Sequence, residues 1–187
     1  MRLSFVVVSA LVPLFGACAQ STPAASAAAP GAVARLVTPD GKPAGSVALS
    51  ESNGVVTLQV DATGLTPGVH GFHIHSNGAC TPTTDATTGK TVPFGGAGGH
   101  FDPQESHQHG HPGDTSRPLH AGELPNLTAN AEGRAVATVT NNRVLLAAGK
   151  TSVMGRSLII HADPDDYKTN PAGNSGPRVL CGVIQPA

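Results

Sequence analysis

The sequence has few aromatic residues, little charge and no helical pattern. Its 187 residues include no Trp, one Tyr and five Phe, so a core must be built mostly from Val, Leu, Ile and Ala. Charged residues make up 12% and the formal net charge is -1, which argues against a nucleic-acid partner, since such a partner requires a basic surface. The 23 Gly and 16 Pro residues indicate many turns. A chain of this length is expected to form one domain.

Apolar and polar residues alternate in short segments, which is the pattern of half-buried strands. Two long segments, residues 76–128 and 162–177, lack this alternation and are expected to be functional loops. We therefore predict an all-β fold, either an eight-stranded antiparallel Greek-key barrel or an immunoglobulin-like sandwich. The predicted strands are residues 32–38, 46–50, 55–60, 69–75, 135–140, 157–161 and 179–184, and a strand at 144–146 stays open.

The N-terminal apolar run, residues 3–15, is too short to span a bilayer and is typical of a signal peptide that begins with a basic residue, here Arg2. Small residues before Cys18 resemble a bacterial lipobox, in which Cys18 is lipidated, although Phe15 stands where Leu is usual. Alternatively, residues 17–19 (Ala-Cys-Ala) form a site for ordinary signal peptidase.

The sequence predicts that the chain is divided into three regions. Residues 1–17 are predicted to be a signal peptide, and residues 18–30, rich in Ala, Ser, Thr and Pro, a lipid anchor and flexible tether. Residues 31–187 form the domain. We expect export to the periplasm or cell envelope, with the membrane reached only through the lipid anchor.

Two cysteines remain after Cys18, namely Cys80 and Cys181. In an exported protein a pair of cysteines predicts one disulfide, because the compartment is oxidising. The alternative is two buried free thiols.

The pattern His73-Ile74-His75 predicts a metal-binding pair. Alternate residues of a strand point to the same face, so the two imidazoles can chelate one ion while Phe72 and Ile74 enter the core. His70 shares the parity of Phe72 and is not expected at the site. The alternative is an accidental cluster on a solvated strand. Further histidines downstream favour the metal site: His100, His109, His120 and His161.

Four separated segments, in order across residues 31–186, resemble the copper-zinc superoxide dismutases. They are Gly71-Phe72-His73-Ile74-His75, Gly98-Gly99-His100-Phe101-Asp102-Pro103, Gly155-Arg156-Ser157-Leu158-Ile159-Ile160-His161, and the stretch from Gly173-Asn174-Ser175-Gly176-Pro177-Arg178 through Cys181 to Ile184.

The resemblance implies copper and zinc as cofactors, with one histidine, His100, bridging both ions. The implied copper ligands are His73, His75, His100 and His161. The implied zinc ligands are His100, His109, His120 and Glu123. The sequence departs from the family at Glu123, where the family has Asp. Glu is one methylene longer, so its carboxylate must fold back to complete a tetrahedral zinc site.

Further roles are implied for residues outside the two ligand sets. Asp165 matches a carboxylate that orients one copper and one zinc histidine, with Asp166 as its competitor. Arg178 matches an arginine that lies beside copper and orients an anionic substrate, and Lys168 is the alternative guide. His107 and His111 match no ligand position and are expected to be solvated.

The activity implied by the resemblance is dismutation of superoxide to oxygen and hydrogen peroxide. In it, His100 carries a proton and Arg178 guides the anion. The rival hypothesis is a non-catalytic copper- or zinc-binding envelope protein of the same fold. A homodimer stays open.

Overall fold

The computed structural model describes Met1 and residues 31–187. Apart from Met1, the predicted signal peptide, the lipidation residue Cys18 and the tether lie outside the described residues. Within the described part of the chain, no helix has the length and apolar character needed to cross a membrane.

The described domain is all-β, which confirms the predicted fold class. It has one short 3-10 turn, Gly95–Ala97, and eleven strands. The strands are β1 Ala32–Val37, β2 Pro43–Ser52, β3 Val55–Ala62, β4 Gly68–His70, β5 Phe72–His75, β6 Thr83–Thr84, β7 Thr91–Val92, β8 Leu127–Ala129, β9 Ala135–Asn141, β10 Ser157–His161 and β11 Arg178–Pro186.

Seven strands form one antiparallel sheet in the order β5-β10-β11-β1-β2-β3-β9. The first and last strands of the domain, β1 and β11, are neighbours at its centre. Strands β4 and β8 form a second, two-stranded sheet, and β6 and β7 form a small hairpin. The alternation of apolar and polar residues in the sequence corresponds to alternate burial in the structure. In β3, every second residue from Val56 to Ala62 is buried.

The strand predicted at residues 69–75 is in fact two strands. His70, in β4, pairs with Leu127, whereas Phe72, in β5, pairs with Ile160 of the large sheet. Gly71 lies between them, and a Cβ there would come within 2.8 Å of the Ser175 side chain. A period-2 pattern does not reveal this break, because residues 70–75 are all buried and the change of pairing partner leaves no mark on the sequence.

Three further differences concern short elements. Strand β8 was not predicted, because three residues are too few to show a period. Residues 144–146 do not form a strand, and only a single bridge joins Leu145 to Ser152. The extra two-residue strands β6 and β7 lie within the first long loop.

The disulfide prediction is confirmed. Cys80 and Cys181 are joined across a sequence separation of 101 residues, with their Cα atoms 5.7 Å apart. Cys181 is fully buried in a small cluster with Phe94, Ala97 and Ile159, next to the main core. The bond therefore attaches the first long loop to the central strand β11.

Strand pairing brings the histidines together. In β10, Ile159 pairs with His73, and His161 pairs with Arg178 of β11. On the other edge of β5, isolated bridges join His73 to Glu123 and His75 to His100. The first long loop is thereby held against the histidine strand.

Candidate metal centre

Four buried imidazoles converge at the edge of the large sheet. His73 and His75 come from β5, His161 ends β10, and His100 comes from the long loop beside β5. One ring nitrogen of each lies within 4.8 Å of the others. Alternation along β5 accounts for the pair, and the Ile159–His73 register brings His161 close to it.

One nitrogen of each imidazole lacks any partner among the described residues. These buried atoms are His73 Nδ1, His75 Nε2, His100 Nε2 and His161 Nε2. The opposite nitrogens face oxygen atoms, which fixes the rings: those of Asp165 for His73 (2.7 Å), Gly98 for His75 (2.9 Å), Glu123 for His100 (3.1 Å) and Gly176 for His161 (3.2 Å). Unpartnered buried nitrogens are costly, and a metal ion would satisfy all four. A set of four imidazole nitrogens fits copper.

A second group surrounds the carboxylate of Glu123. Its Oε1 lies 3.1 Å from His100 Nδ1, 2.9 Å from His109 Nδ1 and 2.7 Å from His120 Nδ1. All four residues are buried. Three imidazoles and one carboxylate fit zinc. His100 is shared, with Nε2 toward the first group and Nδ1 toward the second.

Asp165 connects the two groups from behind. Its Oδ2 lies 2.7 Å from His73 Nε2, and its Oδ1 lies 2.8 Å from His109 Nε2. Asp166, the competitor from the sequence, is exposed and bonds to Thr169 and Asn174 instead. Contacts of this kind fix the orientation of metal-binding imidazoles.

Asn126 supports this connection, a role that was not predicted from the sequence. Its Oδ1 accepts the N–H of Asp165, and its Nδ2 donates to the Asp165 carbonyl, both at 3.0 Å. The backbone N–H of Asn126 donates to the Tyr167 hydroxyl, and the Tyr167 N–H donates to Asp165 Oδ1. No periodicity reveals a contact across 39 residues, so this role could not be predicted from the sequence.

Arg178 lies half-buried next to the four-imidazole group. It donates from Nη1 to the Phe94 carbonyl at 2.7 Å and from Nη2 to the Gly98 carbonyl at 2.6 Å. The Gly98 carbonyl also accepts from His75 Nδ1. Lys168, the alternative guide, is exposed.

Three histidines lie outside both groups. His107 and His111 are exposed, and His111 packs edge-on against Tyr167 with ring centroids 4.7 Å apart. His70 is buried, with its nitrogens 2.7 Å from the His161 carbonyl and 2.8 Å from the Thr66 carbonyl. It contacts the backbone of the cluster but adds no nitrogen to it.

Comparison with known proteins identifies the fold and its chemistry. A family model described as copper/zinc superoxide dismutase (SODC) matches residues 43–184. The chain belongs to this family. It is 43% identical over 175 residues to the copper-zinc superoxide dismutase of Deinococcus radiodurans, covering 94% of this chain and 95% of that one. It is 38% identical to the enzyme of Brucella abortus biovar 1, over 99% of this chain and all of that one.

A solved structure agrees. The copper/zinc superoxide dismutase from Brucella abortus matches with a TM-score of 0.71 at 38% identity, covering 82% of this chain and 98% of that chain. The activity of the chain is therefore the dismutation of superoxide, with copper and zinc as cofactors. The comparisons support this catalytic interpretation over the non-catalytic metal-binding protein.

Burial keeps three imidazoles of the four-imidazole group neutral in this superoxide dismutase. Desolvation, with a smaller contribution from neighbouring imidazoles, lowers the pKa of His100 to about 4 and that of His161 to about 3. The same causes hold the pKa of His75 well below its usual range. Neutral imidazole is the form that binds metal ions, so these rings are ready to do so at neutral pH.

Glu123 and His109, both in the second group, are instead held in their charged forms. Burial opposes ionisation of Glu123, but hydrogen bonds from His100, His109 and His120 hold its pKa well below its usual range. Burial likewise opposes the charge on His109, but Asp165 and Glu123 together raise the pKa of His109 to about 9. Without metal, His109 is therefore a cation between two carboxylates.

Proposed function

We propose that the two converging groups are the copper and zinc sites of this enzyme. The copper ligands are His73 Nδ1 and the Nε2 atoms of His75, His100 and His161. The zinc ligands are Nδ1 of His100, His109 and His120, together with Glu123. The observation that carries this assignment is the set of four buried imidazole nitrogens with no partner among the described residues. Imidazole suits copper, and three imidazoles with a carboxylate suit zinc.

When bound, copper supplies the one-electron chemistry that oxidises one superoxide ion and reduces a second. His100 contributes proton transfer, because its Nε2 can take up a proton while its Nδ1 stays with the Glu123 group. The reduced product takes up this proton and a second one from solvent water, and leaves as hydrogen peroxide. Asp165 keeps His73 and His109 in fixed orientations throughout.

Arg178 binds and orients the anionic substrate in this proposal. Its guanidinium is held by two backbone carbonyls, and within residues 31–187 no carboxylate forms an ion pair with it. Desolvation lowers the pKa of Arg178, but an arginine stays protonated at neutral pH. A fixed cation beside the four-imidazole group attracts a small anion to the site of electron transfer.

The assignment is tested with His73→Ala and a matched control, His111→Ala. The first change removes one of four ligands, whereas the second removes an exposed imidazole from the same chain. We expect His73→Ala to lose copper and superoxide decay activity, and His111→Ala to retain both. Metal analysis and superoxide decay are measured on copper- and zinc-loaded protein. Full copper content and activity in His73→Ala would contradict the assignment.

We also propose that residues 31–187 are the catalytic domain of an exported lipoprotein. The support is the sequence pattern before Cys18, with residues 18–30 as the tether. Cell fractionation should find the protein with membranes in the envelope, and Cys18→Ala should release it as soluble protein. A soluble periplasmic protein in both cases would indicate ordinary signal cleavage. Sedimentation of the purified protein distinguishes a monomer from the homodimer left open by the sequence.

A further inference from the structure

The carboxylate of Glu123 has one oxygen in use and one without a partner. Oε1 lies within 3.1 Å of three histidine nitrogens, whereas Oε2 is buried and has no hydrogen-bond partner among the described residues. We propose that Glu123 binds the zinc ion through both oxygens, which makes the site five-coordinate with three nitrogens and two oxygens. This inference rests on the zinc assignment proposed above.

The unpartnered oxygen needs a partner. The Glu123 side chain is fully buried, and a buried polar oxygen without any partner is unfavourable. His73 Nε2 lies 3.7 Å from Oε2, which is beyond hydrogen-bonding distance. That nitrogen already faces Asp165 Oδ2 at 2.7 Å. Within the described residues, no protein donor compensates Oε2.

The backbone holds Glu123 close to the three rings. A bridge joins it to His73, and the preceding Gly122 accepts the Ile74 N–H at 2.9 Å. A Cβ on Gly122 would come within 2.2 Å of the Ile74 carbonyl oxygen, so this close approach requires glycine. Because the backbone cannot retreat, the extra methylene of Glu carries the carboxylate in among the imidazoles.

Both oxygens are therefore within reach of an ion bound to the three nitrogens. Oε1 is in contact with all three rings, and Oε2 belongs to the same rigid carboxylate, so a small rotation of that group presents both. Zinc has no geometric preference from its d electrons and accepts a fifth ligand. Aspartate at this position would be shorter by one methylene and would present a single oxygen.

The test counts the ligands of zinc directly. Zinc K-edge X-ray absorption is recorded on the fully loaded wild-type protein and on Glu123→Asp, with zinc content quantified in each. We expect five nitrogen or oxygen ligands in wild type and four in Glu123→Asp. Cobalt(II) placed at the same site provides a second readout, because its visible bands are several-fold stronger with four ligands than with five. The matched control is Glu132→Asp, an exposed glutamate, and should match wild type.

Glu123→Gln keeps the side-chain length if Glu123→Asp does not fold. Its amide nitrogen cannot bind zinc, so four ligands are expected. Four ligands in wild type would overturn the inference. Five ligands in wild type and in both variants would also overturn it, since the fifth ligand would then be a water molecule. Failure of the underlying zinc assignment looks different, because wild type would then hold no zinc at this group.

Discussion

Arg178 and His75 donate hydrogen bonds to the same carbonyl oxygen, that of Gly98, at 2.6 and 2.9 Å. Gly98 follows the 3-10 turn at Gly95–Ala97 and has a φ of 76°, a backbone conformation that favours glycine. One turn of the loop thus fixes both a proposed copper ligand and the proposed anion guide. Hydrogen bonds to the backbone therefore hold the guanidinium in a fixed position relative to the metal site, unlike the end of a free surface side chain.

Removal of this cation should slow the reaction without removing copper. Two charges a few ångströms apart near a protein surface interact by about 4 kcal/mol at an effective dielectric constant of about 20, and screening leaves part of that. We expect Arg178→Ala to lower the rate of superoxide decay roughly 10- to 100-fold, each decade being about 1.4 kcal/mol. Arg178→Lys should be intermediate, because it keeps the charge but loses the planar fork.

A salt series separates this role from a structural one. Added salt should slow wild type more than Arg178→Ala, because the attraction is screened. Arg35→Ala, which removes an exposed arginine from β1, serves as the control and should behave as wild type. Copper is quantified in every sample. If Arg178→Ala keeps the wild-type rate and salt dependence, Arg178 does not guide the anion, and Lys168 is the next candidate.

The Cys80–Cys181 disulfide should stabilise the loop that holds Arg178 in place. Cys181 packs in the small cluster that contains Phe94, and the Phe94 carbonyl accepts a hydrogen bond from Arg178. In the chain-entropy model, closing a loop of about 100 residues stabilises a protein by roughly 4–5 kcal/mol. We expect Cys80→Ser to lower both the melting temperature and the rate, measured by thermal unfolding and superoxide decay. Two reactive thiols in the oxidised wild-type protein would contradict this expectation.

Asn126 should control metal affinity although it binds no metal. Its amide makes two hydrogen bonds to the backbone of Asp165, which in turn orients His73 and His109. Loss of partners of this kind typically costs about 10- to 100-fold in metal affinity. We expect Asn126→Ala to weaken zinc binding by roughly that factor, measured by competition with a chelator. Asn142→Ala, an exposed amide, is the control, and equal affinities in the two variants would exclude this role for Asn126.

The sequence predicted those features that depend on local pattern. The β5 pair His73 and His75, the all-β architecture and the Cys80–Cys181 bond follow from alternation and residue type. The break at Gly71 and the Asn126–Asp165 contact do not, because each depends on a close approach between segments far apart in the chain. Likewise, the unpartnered Oε2 of Glu123 emerges only when the carboxylate is seen among three rings.

The metal-free protein should be most stable near pH 6.5. The depressed pKa values of His75, His100 and His161 mean that the unfolded chain takes up protons below about pH 6.5 while the folded chain does not, so stability falls toward acid. The raised pKa of His109, about 9, acts in the opposite direction. Between about pH 6.5 and 9 the folded state keeps this proton and the unfolded state loses it, so stability also falls toward alkali.

Thermal unfolding of the metal-free protein at about pH 5, 6.5 and 8.5 tests this expectation. Each unit of pKa difference corresponds to about 1.4 kcal/mol, so the melting temperature should drop measurably on both sides of the maximum. His109→Gln should remove the alkaline loss alone. Zinc-loaded protein should also lack it, because the metal replaces the proton on His109. A melting temperature that rises steadily from pH 5 to 8.5 in the metal-free protein would show that His109 is not held as a cation between Glu123 and Asp165.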